Sequence, residues 1–201
     1  TYRVTRVTET TCSNCFESAV SLPEHHDILT VELGTGLGSL EELLGAVTAP
    51  EQLSASDFID CGGCGEKTPA PMRTEEVYPS PAIFINIKRF QFGKDCEKDQ
   101  TPILLKSPFR IKASVNRYVV IGAVIHQGSA GGGHYVAVLR DRGGEWWVCD
   151  DSQLIHTDAS NIDDVGPATN NRYQPTKDAY LLIASEVTAL KDAGWNVSFA
   201  A

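Results

Sequence analysis

Residues 131–151 read GGGHYVAVLRDRGGEWWVCDD. Two runs rich in apolar residues, HYVAVLR (134–140) and EWWVCD (145–150), flank a glycine-bearing turn, which predicts an antiparallel hairpin. The far ends of such a hairpin lie side by side, so His134 is expected to face Asp150 across the ladder, with Asp151 next to it. A carboxylate that accepts from one imidazole nitrogen fixes the tautomer and leaves the other nitrogen to serve as a base. Geometry alone fits a purely structural His–Asp pair equally well. A catalytic reading needs a nucleophile, and this stretch offers only Cys149. Directly before Asp150, Cys149 is expected on the opposite face of the strand, toward the core.

The texture of this hairpin extends in both directions. AIFINIKRF (82–90), ILLKSPFRI (103–111), YVVIGAVIHQ (118–127) and AYLLIAS (179–185) are short apolar or alternating runs separated by glycine and polar loops. They predict an α+β fold, mainly antiparallel β. Continuous runs such as VVIGAVI suggest strands buried on both faces, with something covering the sheet. Upstream, TYRVTRVTET (1–10), ESAVSL (17–22) and ILTVEL (28–33) read as strands, with a turn region LPEHHD in which His25 and His26 are solvated. SLEELLGAV (39–47) is a short helix, because Ser39 and Glu42 form a capping box and Leu40, Leu43 and Leu44 share one face. TPAPMRTEEVYPSP (68–81), with its four prolines, reads as a connector or edge strand. SEVTALKDAGW (185–195) is a candidate terminal helix. His126 ends a buried strand and reads as a hydrogen-bonded core or rim residue, and His156 has no visible partner.

Four of the six cysteines form two C-x-x-C pairs, Cys12/Cys15 in TTCSNC and Cys61/Cys64 in DCGGCG. Two thiolates spaced by two residues can reach one ion from a tight turn, and small neighbours let backbone amides point at sulfur. Two such turns complete a tetrahedral Cys₄ site for which Zn²⁺ is the default. Its closed shell makes the zinc structural. Thiols used this way predict a reducing compartment, cytoplasmic or nuclear.

Among 201 residues no apolar run approaches the roughly 20 needed to span a bilayer. A net charge of -9 argues against nucleic acid as a partner, since phosphate binding needs a basic face. A zinc-ribbon nucleic-acid binder therefore accounts for the cysteines alone. The first residue is Thr1, with no signal-peptide texture behind it, and we expect the chain to be cut from something longer.

The ordered set Ile87-Lys88-Arg89-Phe90, Tyr118 to Gly128, Gly133-His134-Tyr135-Val136-Ala137, Trp146 to Ser152 and Ala179-Tyr180-Leu181-Leu182 resembles the ubiquitin-specific proteases. These are papain-like cysteine proteases that remove ubiquitin, and the knuckles match their zinc-bearing fingers. The resemblance implies a fingers region with the Cys₄ site over 1–80, a β-rich palm over 81–185 and a C-terminal tail over 186–201, with the helical thumb missing. It implies His134 as general base and Asp150 as its orienting partner, with Asp151 as a possible substitute. It also implies a mobile loop around Gln127 to Gly133 beside a slot for the ubiquitin tail, with Gln127, Gly131, Gly132, Gly133 and Tyr135 as substrate-binding residues. In the family the nucleophilic cysteine sits in the thumb, at a helix start that lowers its pKa. Cys96, in KDCEKD, has acidic neighbours that would raise a thiol pKa instead. Two readings follow. In one, a thumb segment upstream or on a separate chain delivers the nucleophile for (iso)peptide hydrolysis. In the other, the chain is a ubiquitin-binding scaffold or pseudoprotease.

Overall fold

The computed structural model describes residues 2–34, 36, 38–54, 58–69, 72–91, 97–112, 114–157 and 173–197. Cys96 and residues 198–201 lie outside them. Two main sheets organise the chain. The larger has eight strands. Its spine runs from Gln153–Thr157 through Trp146–Asp150, Gly132–Arg140, Arg117–Ser129, Ala179–Glu186 and Ala82–Lys88 to Ile28–Glu32. All these pairings are antiparallel except the last, where Ile28–Glu32 runs parallel to Ala82–Lys88. Ile28–Glu32 thus brings part of the first 80 residues into the sheet built by the later ones.

Ala82–Lys88 alternates strictly, with Ile83, Ile85 and Ile87 buried and Phe84 and Asn86 half-open. One face of the sheet therefore meets the core and the other does not. Arg117–Ser129 departs from this pattern: a register shift between Val120 and Gly122 moves the core-facing set from Tyr118 and Val120 to Ala123 and Ile125, while Val119 is buried in a separate cluster. The helix Leu40–Val47 covers the inner face with Leu40, Leu43 and Leu44. Each such side chain contributes roughly 1.5–3 kcal/mol on burial. The expected capping box is present, with Ser39 N–H donating to Glu42 Oε2 at 2.7 Å and Glu42 N–H to Ser39 Oγ at 3.2 Å. A second small cluster joins Val119 to Leu190 and Val197, under the short helix Val187–Asp192.

The five-stranded sheet sets Val4–Thr11 against Met72–Pro79 over eight paired positions, from Val4↔Pro79 to Thr11↔Met72. Met72–Pro79 is thus an interior strand, bordered also by Glu51–Gln52, and not the connector or edge strand that its prolines suggest. Pro69 and Pro79 fall at strand ends, where a missing N–H breaks no ladder. The run 103–111 is likewise not one strand but two short bridges, Ile103–Leu104 and Phe109–Arg110, divided around Pro108. The turn expected at LPEHHD contains the strand Glu24–His26, in which His25 Nδ1 meets Thr5 Oγ1 at 3.0 Å.

Candidate functional site

Strands Arg117–Ser129 and Gly132–Arg140 pair all the way to Ser129↔Gly132, leaving Ala130 and Gly131 as a two-residue tip. The segment from Gln127 to Gly133 is therefore the end of a hairpin and not a loop. Two glycines allow this close pairing. A Cβ on Gly128, at φ 135, would lie 2.5 Å from the Gly132 carbonyl oxygen. One on Gly133 would lie 2.3 Å from the Gln127 carbonyl oxygen and 2.4 Å from His126 Nε2. Any side chain at 133 would thus displace the residue before His134.

His134 Nε2 lies 2.5 Å from Asp150 Oδ1. An ionised carboxylate only accepts, so Nε2 donates and the basic lone pair of the neutral ring is on Nδ1. The Asp150 side chain is 13% exposed and that of His134 41%, so the acid is sheltered while the ring edge is open. The second carboxylate oxygen, Oδ2, accepts from the Tyr173 hydroxyl at 2.8 Å. Asp151 follows in the turn to Gln153–Thr157 with φ 49, a left-handed conformation that Asp tolerates. One ligand-type atom each from His134, Asp150 and Asp151 lies within 4.8 Å of the others.

A groove of about 600 Å³ opens beside the hairpin tip, and Gly131, Gly132, Gly133 and Tyr135 all line it. Gln127, paired with His134 in the ladder, does not. Phe90, His126, Tyr135 and Tyr180 form a ring cluster along it, with His126 4.7 Å from Tyr135 and 5.2 Å from Phe90. His126 is buried, and its Nδ1 has no hydrogen-bond partner among the described residues, contrary to the bonded histidine expected there. Burial holds its pKa below the usual range, helped by the charge of Lys98. Lys98 in turn donates to the His126 carbonyl and pairs with Asp178 at 2.6 Å. Arg89, fully buried, donates to the carbonyls of Ala179, Thr101, Thr176 and Asp99 at 2.7–3.0 Å. Desolvation lowers its pKa to about 10, so it stays charged at neutral pH.

Cys149 alternates with Asp150 as expected but points away from the core. Its ladder partners are Ala137 and the exposed Leu154, whereas Trp146 and Val148 face inward. His156 has a partner after all, Glu145 Oε2 at 2.9 Å.

The two cysteine knuckles are near copies of each other. Each is a six-residue loop closing a hairpin, 12–17 between Thr11 and Ser18 and 61–66 between Asp60 and Lys67. In each, the first cysteine donates its N–H five residues on, Cys12 to Glu17 and Cys61 to Glu66. In each, the residue four places on is left-handed, Phe16 at φ 62 and Gly65 at φ 72. The four sulfurs lie within 4.8 Å of one another, and Cys15 and Cys61 are 3.5 Å apart. Tetrahedral Zn–S bonds of about 2.3 Å place sulfurs about 3.8 Å apart, so the donor set fits zinc. Asn14 N–H and Nδ2 reach Cys12 and Cys64 sulfurs at 3.4 and 3.8 Å. The backbone hydrogen bond at Glu17 lowers the Cys15 thiol pKa, but Cys61, burial, Cys12 and Cys64 outweigh it and push it up to about 12. A bound cation reverses that balance.

No helix among the described residues is long and apolar enough to cross a membrane. In comparisons with known proteins, the family described as ubiquitin carboxyl-terminal hydrolase matches residues 3–183. The chain is 28% identical over 169 residues to ubiquitin carboxyl-terminal hydrolase 16 of Arabidopsis thaliana, covering 80% of this chain and 16% of that protein. It is 26% identical over 151 residues to ubiquitin carboxyl-terminal hydrolase 27 of Mus musculus, covering 63% and 34%. The chain thus spans from about a sixth to a third of these relatives' lengths. A solved SAGA DUB module of Ubp8, Sgf11, Sus1 and Sgf73 bound to monoubiquitin holds a chain of the same fold, with a TM-score of 0.77 at 20% identity, covering 92% of this chain and 40% of that one. A yeast SAGA DUB module gives 0.74 at 22% identity over the same shares. The palm-and-fingers architecture, the ordered motifs and a family match over nine-tenths of the chain agree: the protein belongs to the ubiquitin carboxyl-terminal hydrolases of the ubiquitin-specific protease type.

Proposed function

We propose that this chain is the palm-and-fingers part of a deubiquitinating thiol protease, which hydrolyses (iso)peptide bonds at the ubiquitin C-terminus. The observation that carries this is the 2.5 Å contact of His134 with a sheltered Asp150 on a scaffold of this family. His134 is the general base, accepting the thiol proton at Nδ1 and returning it to the leaving amine. Asp150 fixes the Nε2–H tautomer and stabilises the imidazolium. Asp151, close to both, is the alternative acid. The nucleophilic cysteine comes from a thumb segment outside these residues, because Cys149 faces the other side of its strand. That segment also covers the half-open apolar face of the large sheet.

Ubiquitin is the partner, as in the solved neighbour bound to monoubiquitin. The groove lined by Gly131, Gly132, Gly133 and Tyr135 suits a slender, glycine-ended tail, and Gln127, outside that lining, pairs with His134 in the ladder. Structural Zn²⁺ held by Cys12, Cys15, Cys61 and Cys64 fastens the two knuckles. Their reduced thiols accord with a cytoplasmic or nuclear setting.

The test is to treat the 201-residue chain with ubiquitin bearing a C-terminal electrophile and with a fluorogenic ubiquitin conjugate. Neither adduct nor turnover is expected, while ¹⁵N-ubiquitin signals shift on binding, and added thumb segment restores turnover. An adduct on Cys149 would contradict the assignment. Binding with no turnover after the thumb is supplied would favour the scaffold reading.

A further inference from the structure

The strand ladder does not aim the Asp150 carboxylate. Asp150 is the last residue of its strand, and its backbone pairing with Gln153 across the turn leaves the side-chain torsions open. Something must hold the carboxylate in plane with the imidazole, and the contact at Oδ2 does so. The Tyr173 hydroxyl lies 2.8 Å from Oδ2 while His134 Nε2 lies 2.5 Å from Oδ1, so both oxygens are held from different elements. We propose that Tyr173 is a positioning residue, which orients Asp150 and through it the imidazole of His134. This rests on the reading of His134 and Asp150 as base and orienting acid.

Tyr173 is suited to the role because it is itself anchored. Its ring packs, partly buried, against the main core. The short helix Pro175–Asp178 begins two residues later with Pro175 buried, and it leads directly into Ala179–Glu186. Both ends of this link are tied to buried cations. Arg89 takes the Thr176 and Ala179 carbonyls, and Lys98 takes the Asp178 carboxylate. A hydroxyl delivered from such a support is pre-organised, so little ordering entropy is lost when it bonds to Asp150. A tyrosine serving only as packing would not place its hydroxyl on the oxygen that His134 leaves over.

The experiment is NMR of the zinc-loaded 201-residue chain, following the His134 Nε2–H proton. In the unaltered protein it is expected as a downfield signal protected by Asp150. Tyr173→Phe keeps the ring and its packing and removes only the hydroxyl. It is expected to move the signal upfield and to speed its exchange with water by about tenfold, the loss of roughly one hydrogen bond. Backbone amide spectra serve as the check that the fold is retained. Asp150→Asn is the comparison. If Asp150→Asn alters the signal and Tyr173→Phe does not, Tyr173 has no positioning role, although the His–Asp pair stands. If neither alters it, the pair itself is not formed as described, and the proposed function fails with it.

Discussion

His134 and Asp150 touch although they are not opposite each other in the sheet. The ladder between their strands ends at Ala137↔Cys149, and that register places Asp150 diagonally from the histidine. Diagonal neighbours on antiparallel strands lie within reach of long side chains. His134 directly follows Gly133, which is closely paired at the tip of the preceding hairpin, so a displacement there is expected to move the histidine relative to the acid.

Gly133→Ala tests that dependence. Its Cβ would lie 2.4 Å from His126 Nε2 and 2.3 Å from the Gln127 carbonyl oxygen. A loss of about 2 kcal/mol in denaturant unfolding is expected, along with loss of the His134–Asp150 contact. Gly132→Ala, where nothing lies within 4 Å, is the control and should cost less than half as much.

Zinc removal tests the knuckles. Native mass spectrometry should find one Zn²⁺ per chain, and Cys61→Ser should abolish it. With an apparent site free energy on the order of 10 kcal/mol, chelation should lower Tm markedly. A metal-free chain with unchanged Tm would refute a structural site.

Arg89→Ala leaves the carbonyls of Ala179, Asp99, Thr101 and Thr176 without this donor. A cost of about 3–5 kcal/mol is expected from urea unfolding. Arg89→Met, matching the length without the charge, should recover little of it, since the carbonyls stay unpaired.

The pH dependence of stability follows from His126. Its folded pKa is depressed, so between that value and the unfolded value of about 6.5 the unfolded chain binds more protons. Its contribution is therefore present above about pH 6.5 and lost as pH falls through the folded pKa. Urea midpoints should fall from pH 7.5 to 5.5, and His126→Phe should flatten that slope. An equal slope in both proteins would exclude His126 as the source.

Much of the fold is legible in the sequence because local chemistry and tertiary context agree. The Ser39 capping box and the Ile83/Ile85/Ile87 alternation each specify an element that the packing then uses. The reading fails where long-range pairing overrides local signals. Met72–Pro79 lies in a proline-rich stretch, but its one proline, Pro79, falls at the strand end, which shows only once Val4–Thr11 lies beside it. The site divides similarly. His134, Asp150 and the four cysteines are marked by spacing, but Tyr173 lies in a polar stretch, NNRYQPT, that gives no hint of its contact. His126 reads as an ordinary bonded residue until Gly133 and the two flanking rings close around it. Phe16, 78% exposed in a left-handed position where its counterpart is Gly65, carries strain that no local pattern announces.

The most direct measurement is hydrolysis of a fluorogenic ubiquitin conjugate by this chain joined to its thumb segment, with and without His134→Ala. General-base loss in a thiol protease predicts a fall in kcat of at least about 10³-fold, with ubiquitin binding unchanged. Turnover by His134→Ala within a few-fold of the unaltered protein would contradict the account.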